Sequence, residues 1–119
     1  MKYEYDYDDE NDVLYIYNSE QGVEESVQIS EDIVIDLDKR GLISGIEIFY
    51  ASEFFSAFNH EVNEMFLTNI DEVSLEYREF RNQWFIVIQL RSRNKKIVQP
   101  MPPLRKSEYV SPLLLVNSL

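Results

Sequence analysis

From residue 2 the chain alternates strictly, with Tyr3, Tyr5 and Tyr7 on one side and Lys2, Glu4 and Asp6 on the other. Period two over such a stretch predicts a half-buried β-strand. The β-prone run Val13 to Tyr17 follows an acidic turn, "DDEND", and predicts a second strand. Ser26 to Ile29, Ile33 to Asp38 and Leu42 to Tyr50 predict three more, the last with Ile46, Ile48 and Tyr50 facing together. After Ala51 the period changes. Phe55, Phe58, Val62 and Met65 recur at helical spacing behind Ser52, an N-cap residue type, which predicts one amphipathic helix over about 52–68. Period two then returns in Val73–Leu75–Tyr77 and in Trp84–Ile86–Ile88–Leu90. A last strand begins at Ile97 and is stopped by Pro100, Pro102 and Pro103. The reading is a single α+β domain over residues 1–119, mainly antiparallel sheet of about 7–8 strands, with the helix packed on it. An apolar tail at 109–119 is expected to dock on the domain or on a neighbouring subunit.

One loop tests this pattern. "DLDKRGLISGIE", residues 36–47, spaces Asp36, Asp38, Gly41 and Glu47 much as a calcium-binding EF-hand loop does. Its flanks, "DIVID" and "GIEIFY", are β-branched and alternating, whereas an EF-hand loop joins helices. Arg40 would also put a cation among the ligands. The same residues make a hairpin, with Asp38 opening a type I turn and Gly41 closing it in the left-handed conformation. Asp36 and Glu47 are then expected as exposed strand side chains.

Charge divides the chain. Residues 1–50 hold 14 acids against Lys2, Lys39 and Arg40, and so account for the whole net charge of −11. Residues 78–106 hold eight bases against Glu79 alone. Such asymmetry either closes internally or points to a partner. Cysteine is absent, which suits a reducing cytoplasm. Neither a signal peptide nor a membrane span is expected, since the N-terminal stretch is acidic and the longest apolar run, Leu113 to Val116, is short.

Catalytic chemistry has little to build on. "HEVNE", residues 60–64, has half of a zinc-protease motif, but His60 is the only histidine and it shares a solvent-facing helix surface with Glu64. The crowded acids Asp6, Asp8, Asp9, Glu10 and Asp12 read as a solvated turn. No catalytic, cofactor-binding or metal-binding residue is assigned. The candidate partner-binding residues are Arg91, Arg93, Lys95 and Lys96 at a hairpin tip, where phosphate could be gripped. A net charge of −11 disfavours nucleic acid as the partner of the whole chain.

Two stretches carry a family resemblance: "YDYDDENDVLYIY", and "VEESVQISEDIVIDLDKRGLISGIEIFYAS". Their pattern is Y-D-x-x-x-D-x-L-Y-I, then D-x-D-x-x-G-x-x-x-G-I-E-I-x-x-A-S, and residues 3–52 resemble the prokaryotic family known as domain of unknown function 2283. The resemblance implies a β-rich cytoplasmic protein, with a longer C-terminal extension here. It assigns no activity, and an antitoxin-like pairing with a small toxin is among its implications. The expectation is a non-enzymatic protein-interaction module that self-associates or binds another protein. The alternatives are a nucleic-acid binder using 91–96 and a metal-dependent hydrolase.

Overall fold

The computed structural model describes residues 3–106; the apolar tail at 109–119 lies outside the described residues. Five strands, β1 (Glu4–Asp8), β2 (Val13–Tyr17), β3 (Glu25–Ser30), β4 (Ile33–Leu37) and β5 (Ile43–Phe49), form an antiparallel sheet in the order β1-β2-β5-β4-β3. A second antiparallel sheet joins β6 (Glu72–Phe80), β7 (Gln83–Ser92) and β8 (Lys95–Pro100), and the two-residue β9 (Leu104–Arg105) also pairs with β7. The fold is α+β and mostly sheet, as the alternation predicts.

Period two explains which side chains meet. Leu14, Ile16, Ile35, Ile46 and Ile48 are fully buried on one face of the first sheet, and Ile86, Ile88 and Leu90 on one face of the second. All belong to one continuous core. Two hydrogen bonds tie the sheets together. The Tyr5 hydroxyl donates to the Ile70 carbonyl at 2.5 Å, and the Tyr77 hydroxyl accepts from the Ile43 N–H at 3.0 Å. Both turns of the second sheet's β6–β7–β8 meander carry positive φ without glycine. Arg81 (φ 50°) and Asn82 (φ 62°) join β6 to β7 with the dihedral signs of a type I′ hairpin, and Arg93 (φ 58°) begins the turn into β8.

The helical segment departs from expectation. There are two helices, α1 (Ala51–Phe58) and α2 (Glu64–Thr68), in place of one over 52–68. Asn59 breaks the run. Its backbone is extended (φ −147°), its carbonyl accepts from Val62 N–H, and its side chain accepts from Glu61 N–H. Asparagine competes with the helix in this way because its side chain can stand in for a backbone acceptor. Phe55 and Val62 still reach the core, but Phe58 and Met65 are left 51% and 75% exposed. Ser52 is not the cap: Tyr50, in the left-handed region (φ 52°), precedes α1, and it is 59% exposed instead of aligned with Ile46 and Ile48.

β9 was hidden from pattern reading by Pro102 and Pro103. Past them the Leu104 side chain is buried, Lys106 N–H reaches the Asn82 carbonyl, and the Lys106 ammonium reaches Glu79 at 2.8 Å. Among the described residues no helix is long and apolar enough to cross a membrane.

The loop at 36–47 is a hairpin turn between β4 and β5. Gly41 has φ 77° and its N–H donates to the Asp38 carbonyl at 3.0 Å. The Asp38 carboxylate accepts from Gln21 Nε2 and from the N–H groups of Leu42 and Arg40, with the Arg40 guanidinium beside it at 3.3 Å. These donors, the Gln21 bond foremost, hold the Asp38 carboxyl at about 2, against the desolvation that opposes them. A depressed carboxyl contributes stability that is complete above its unfolded value near 3.8 and is lost as pH falls through the folded one. Urea unfolding is therefore expected to show stability declining from about pH 4 towards 2. Asp38→Asn should be less stable at pH 7 and show a shallower acid limb; an unchanged limb would refute the assignment.

Candidate functional site: the outer face of the first sheet

The face of the first sheet opposite the core is where the acidic segment displays its charge. Pairing register places its side chains in rows across the strands. Asp6, Tyr15, Glu47, Val34 and Gln28 make one row; Glu4, Tyr17, Gly45, Asp36 and Ser26 make the next; Asp8, Val13 and Phe49 make a third. The Tyr15 and Tyr17 rings stack at 4.7 Å between centroids. Glu31 in the β3–β4 turn and Tyr50 complete an open concavity of about 920 Å³, with aromatic and aliphatic floor and carboxylate rim.

A hydrogen-bonded network crosses this face. The Tyr15 hydroxyl donates to one Asp36 oxygen, and the Ser26 hydroxyl donates to the other at 2.6 Å. Tyr15 lies opposite Glu47 and Asp36 lies opposite Gly45, so the phenol runs diagonally over β5 to reach its acceptor. Gly45 makes that path free. A Cβ there would stand 3.2 Å from Tyr15 Cε1, 3.1 Å from the Ile16 carbonyl and 3.2 Å from Tyr17 Cβ. Asp36, expected to be exposed, is buried because Tyr15 and Ser26 cover it. Desolvation, then the hydrogen bond to Asp36, pushes the Tyr15 phenol up. Desolvation, then the charge of Asp36, raises the half-buried Glu47 carboxyl.

The acidic turn divides in the same way. Asp8 closes the turn by accepting from the N–H groups of Glu10 and Asn11 and from the Asn11 side chain. Asp12, read as part of a solvated turn, instead takes the role expected of Ser52. Its carboxylate accepts from Ser52 N–H at 3.0 Å, from Ser52 Oγ at 2.7 Å and from the Tyr7 hydroxyl at 2.6 Å, and its carbonyl accepts from Ala51 N–H. Asp6, Asp9 and Glu10 remain exposed.

The tip residues are separated in their roles. Arg91 and Lys96 face each other across β7 and β8, and Arg91 pairs with Glu72 at 3.1 Å. Lys95 pairs with Glu61 at 2.5 Å, which lowers that carboxyl through the hydrogen bond itself. Arg93 is exposed and its N–H donates to Asp71. The ion pairs of the basic segment thus draw on Glu61, Glu72 and Glu79, all beyond residue 50. His60 lies in the break between the helices and Glu64 opens α2, so the two do not share the continuous helix turn that "HEVNE" implies. Among the described residues no three His, Cys, Asp or Glu side chains are grouped as a metal site.

Residues 4–52 match the family described as Protein of unknown function (DUF2283), and the structure extends the matched segment with the second sheet. A 62-residue stretch is 37% identical to an uncharacterized protein of Methanocaldococcus jannaschii; it covers 52% of this chain and 53% of that protein, so the chain spans about half the length of the curated relative it matches. No solved structure matches the chain. The resemblance read from the sequence is therefore shown for this segment, and its patterned residues have physical roles here. Tyr7, Asp8 and Asp12 shape a turn and a helix start, Asp38 and Gly41 a hairpin, and Tyr15, Asp36 and Gly45 one crossing.

Proposed function

We propose that the protein is a non-enzymatic binding module of the cytoplasm whose first sheet receives a basic protein partner on its outer face. One observation carries this reading: among the described residues no ion pair reaches Asp6, Glu31 or Glu47 of that face, while Arg91, Lys95 and Lys106 of the basic segment pair with Glu72, Glu61 and Glu79. Carboxylates in water on a rigid sheet attract a cationic partner at long range. The phenol faces of Tyr15, Tyr17 and Tyr50 add cation–π and apolar contact once it docks. The remaining patterned acids, Asp12, Asp36 and Asp38, hold the frame through their hydrogen bonds, which supports a scaffold in preference to acid–base chemistry.

The test is a charge reversal. Asp6→Lys, Glu31→Lys and Glu47→Lys together should abolish binding of a lysine- and arginine-rich peptide, read by fluorescence anisotropy. Wild-type affinity should fall steeply between low and high salt. Equal affinity for wild type and variant would overturn the reading. Binding of single-stranded RNA that is lost on reversing Arg91, Arg93, Lys95 and Lys96 would favour the nucleic-acid alternative.

A further inference from the structure

The outer face of the first sheet sets one side chain per strand along a line that crosses all five strands. Asp6, Tyr15, Glu47, Val34 and Gln28 stand in register, so acid, aromatic, acid, aliphatic and amide follow in turn. Glu31, in the turn that ends β3, lines the concavity beside Gln28. Acids thus stand on the β1 side, on β5 in the middle and on the β3 side, with an apolar position between each two. The Tyr15 ring does not rise out of this line, since it runs over β5 to Asp36. Val13 and Phe49 line the concavity next to it. Residues 107–119 hold no lysine, arginine or histidine, so that segment has no cation to offer these acids.

Spacing selects the shape of the partner. Neighbouring strands lie about 4.8 Å apart, so β1 to β5 and β5 to β3 are each an interval of roughly 9.6 Å. A helix laid across the strands advances about 10.5 Å in seven residues and returns to the same face. One heptad therefore spans one interval, with its i+3 and i+4 side chains above the apolar position between the acids. An extended chain laid the same way repeats on one face every ~6.7 Å and falls out of step within two strands. We infer that the partner segment is an amphipathic helix crossing the strands, with a lysine or arginine every seventh residue above Asp6, Glu47 and Glu31 and apolar residues between them. This rests on the outer face as the docking surface for a basic protein, and adds the conformation and charge period of what docks there.

Two labelled peptides of one composition test it by fluorescence anisotropy on the full chain. In the first, three lysines stand seven apart with leucines midway, on a background of alanine and glutamine. In the second, the same lysines and leucines alternate at the centre. The first should bind about tenfold tighter, the worth of two or three surface ion pairs, and should gain helical circular dichroism when bound. Asp6→Lys should weaken it and be rescued when the lysine at one end of the peptide becomes glutamate. Glu31→Lys should be rescued by glutamate at the opposite end. Both positions are exposed, so the fold should persist. Equal affinity for the two peptides, or tighter binding of the alternating one, would overturn the helix; if reversing Asp6, Glu31 and Glu47 still abolished that binding, the docking face would stand. Rescue of both variants by the same end, or of neither, would also overturn the inference. Binding of neither peptide would overturn the helix and the docking face together.

Discussion

Asp12→Ala is expected to lower the free energy of unfolding by about 3 kcal/mol, the largest loss from any single polar side chain in the first sheet. Three effects add. The carboxylate caps α1 through Ser52 N–H and Oγ, and loss of an N-terminal cap costs ~1–2 kcal/mol. The half-buried Tyr7 hydroxyl loses its acceptor. Asp12 also has φ 56°, where alanine is strained by ~1 kcal/mol and where Asp and Asn are tolerated. Asp12→Asn separates the terms. It keeps an acceptor and tolerates the backbone, so it should recover more than half of the loss. Urea titrations at pH 7 should show the order wild type, Asn, Ala with unchanged slopes. Equal midpoints for all three would remove Asp12 from the account of why α1 begins where it does. Desolvation raises the Asp12 carboxyl, but the bonds from Tyr7 and Ser52 together outweigh it and leave the carboxyl lowered. The difference between wild type and Asn should therefore shrink as pH falls below about 4.

Gly45→Val carries the second large effect, an expected loss of about 2–3 kcal/mol. Valine is a good strand residue, so propensity alone predicts a gain. Sterics decide the sign. The added Cβ meets the Ile16 carbonyl, Tyr15 Cε1 and Tyr17 Cβ at 3.1–3.2 Å, before its two methyls are placed. Backbone cannot yield, so the Tyr15 ring must move off its diagonal and release Asp36. A double-mutant cycle reads this directly. Tyr15→Phe should cost ~1–2 kcal/mol in wild type, where it leaves a buried carboxylate short of a donor, and close to nothing in the Gly45→Val background. Additive losses would mean that the glycine and the phenol are not coupled.

Strands were legible because burial on one face leaves a period that side chains cannot hide: Trp84, Ile86, Ile88 and Leu90 alternate in the chain and in the core. The hairpin at 36–47 was legible for the same reason, from its flanks. The helix break was not, since a hydrophobic spacing of three and four survives a break that Asn59 makes through backbone competition. The candidate site was half legible. Its charge stands plainly in the first 50 residues, yet the burial of Asp36 depends on register, which brings Ser26, Asp36, Gly45 and Tyr15 together from four strands. A glycine inside an otherwise strong strand pattern was the available signal, because such glycines mark close approach. Asp12 offered none, since a turn acid that caps a helix 40 residues away looks like any other acid.

The hydrogen bonds from Tyr5 to Ile70 and from Ile43 to Tyr77 join the family-matched segment to the extension that covers it. Cut after Ser52, the chain would keep every strand of its first sheet and lose the roof over Leu14, Ile16, Ile35, Ile46 and Ile48. An isolated fragment of that kind would leave five such side chains open to water, and pairing back to back with a twin is one way to shelter them.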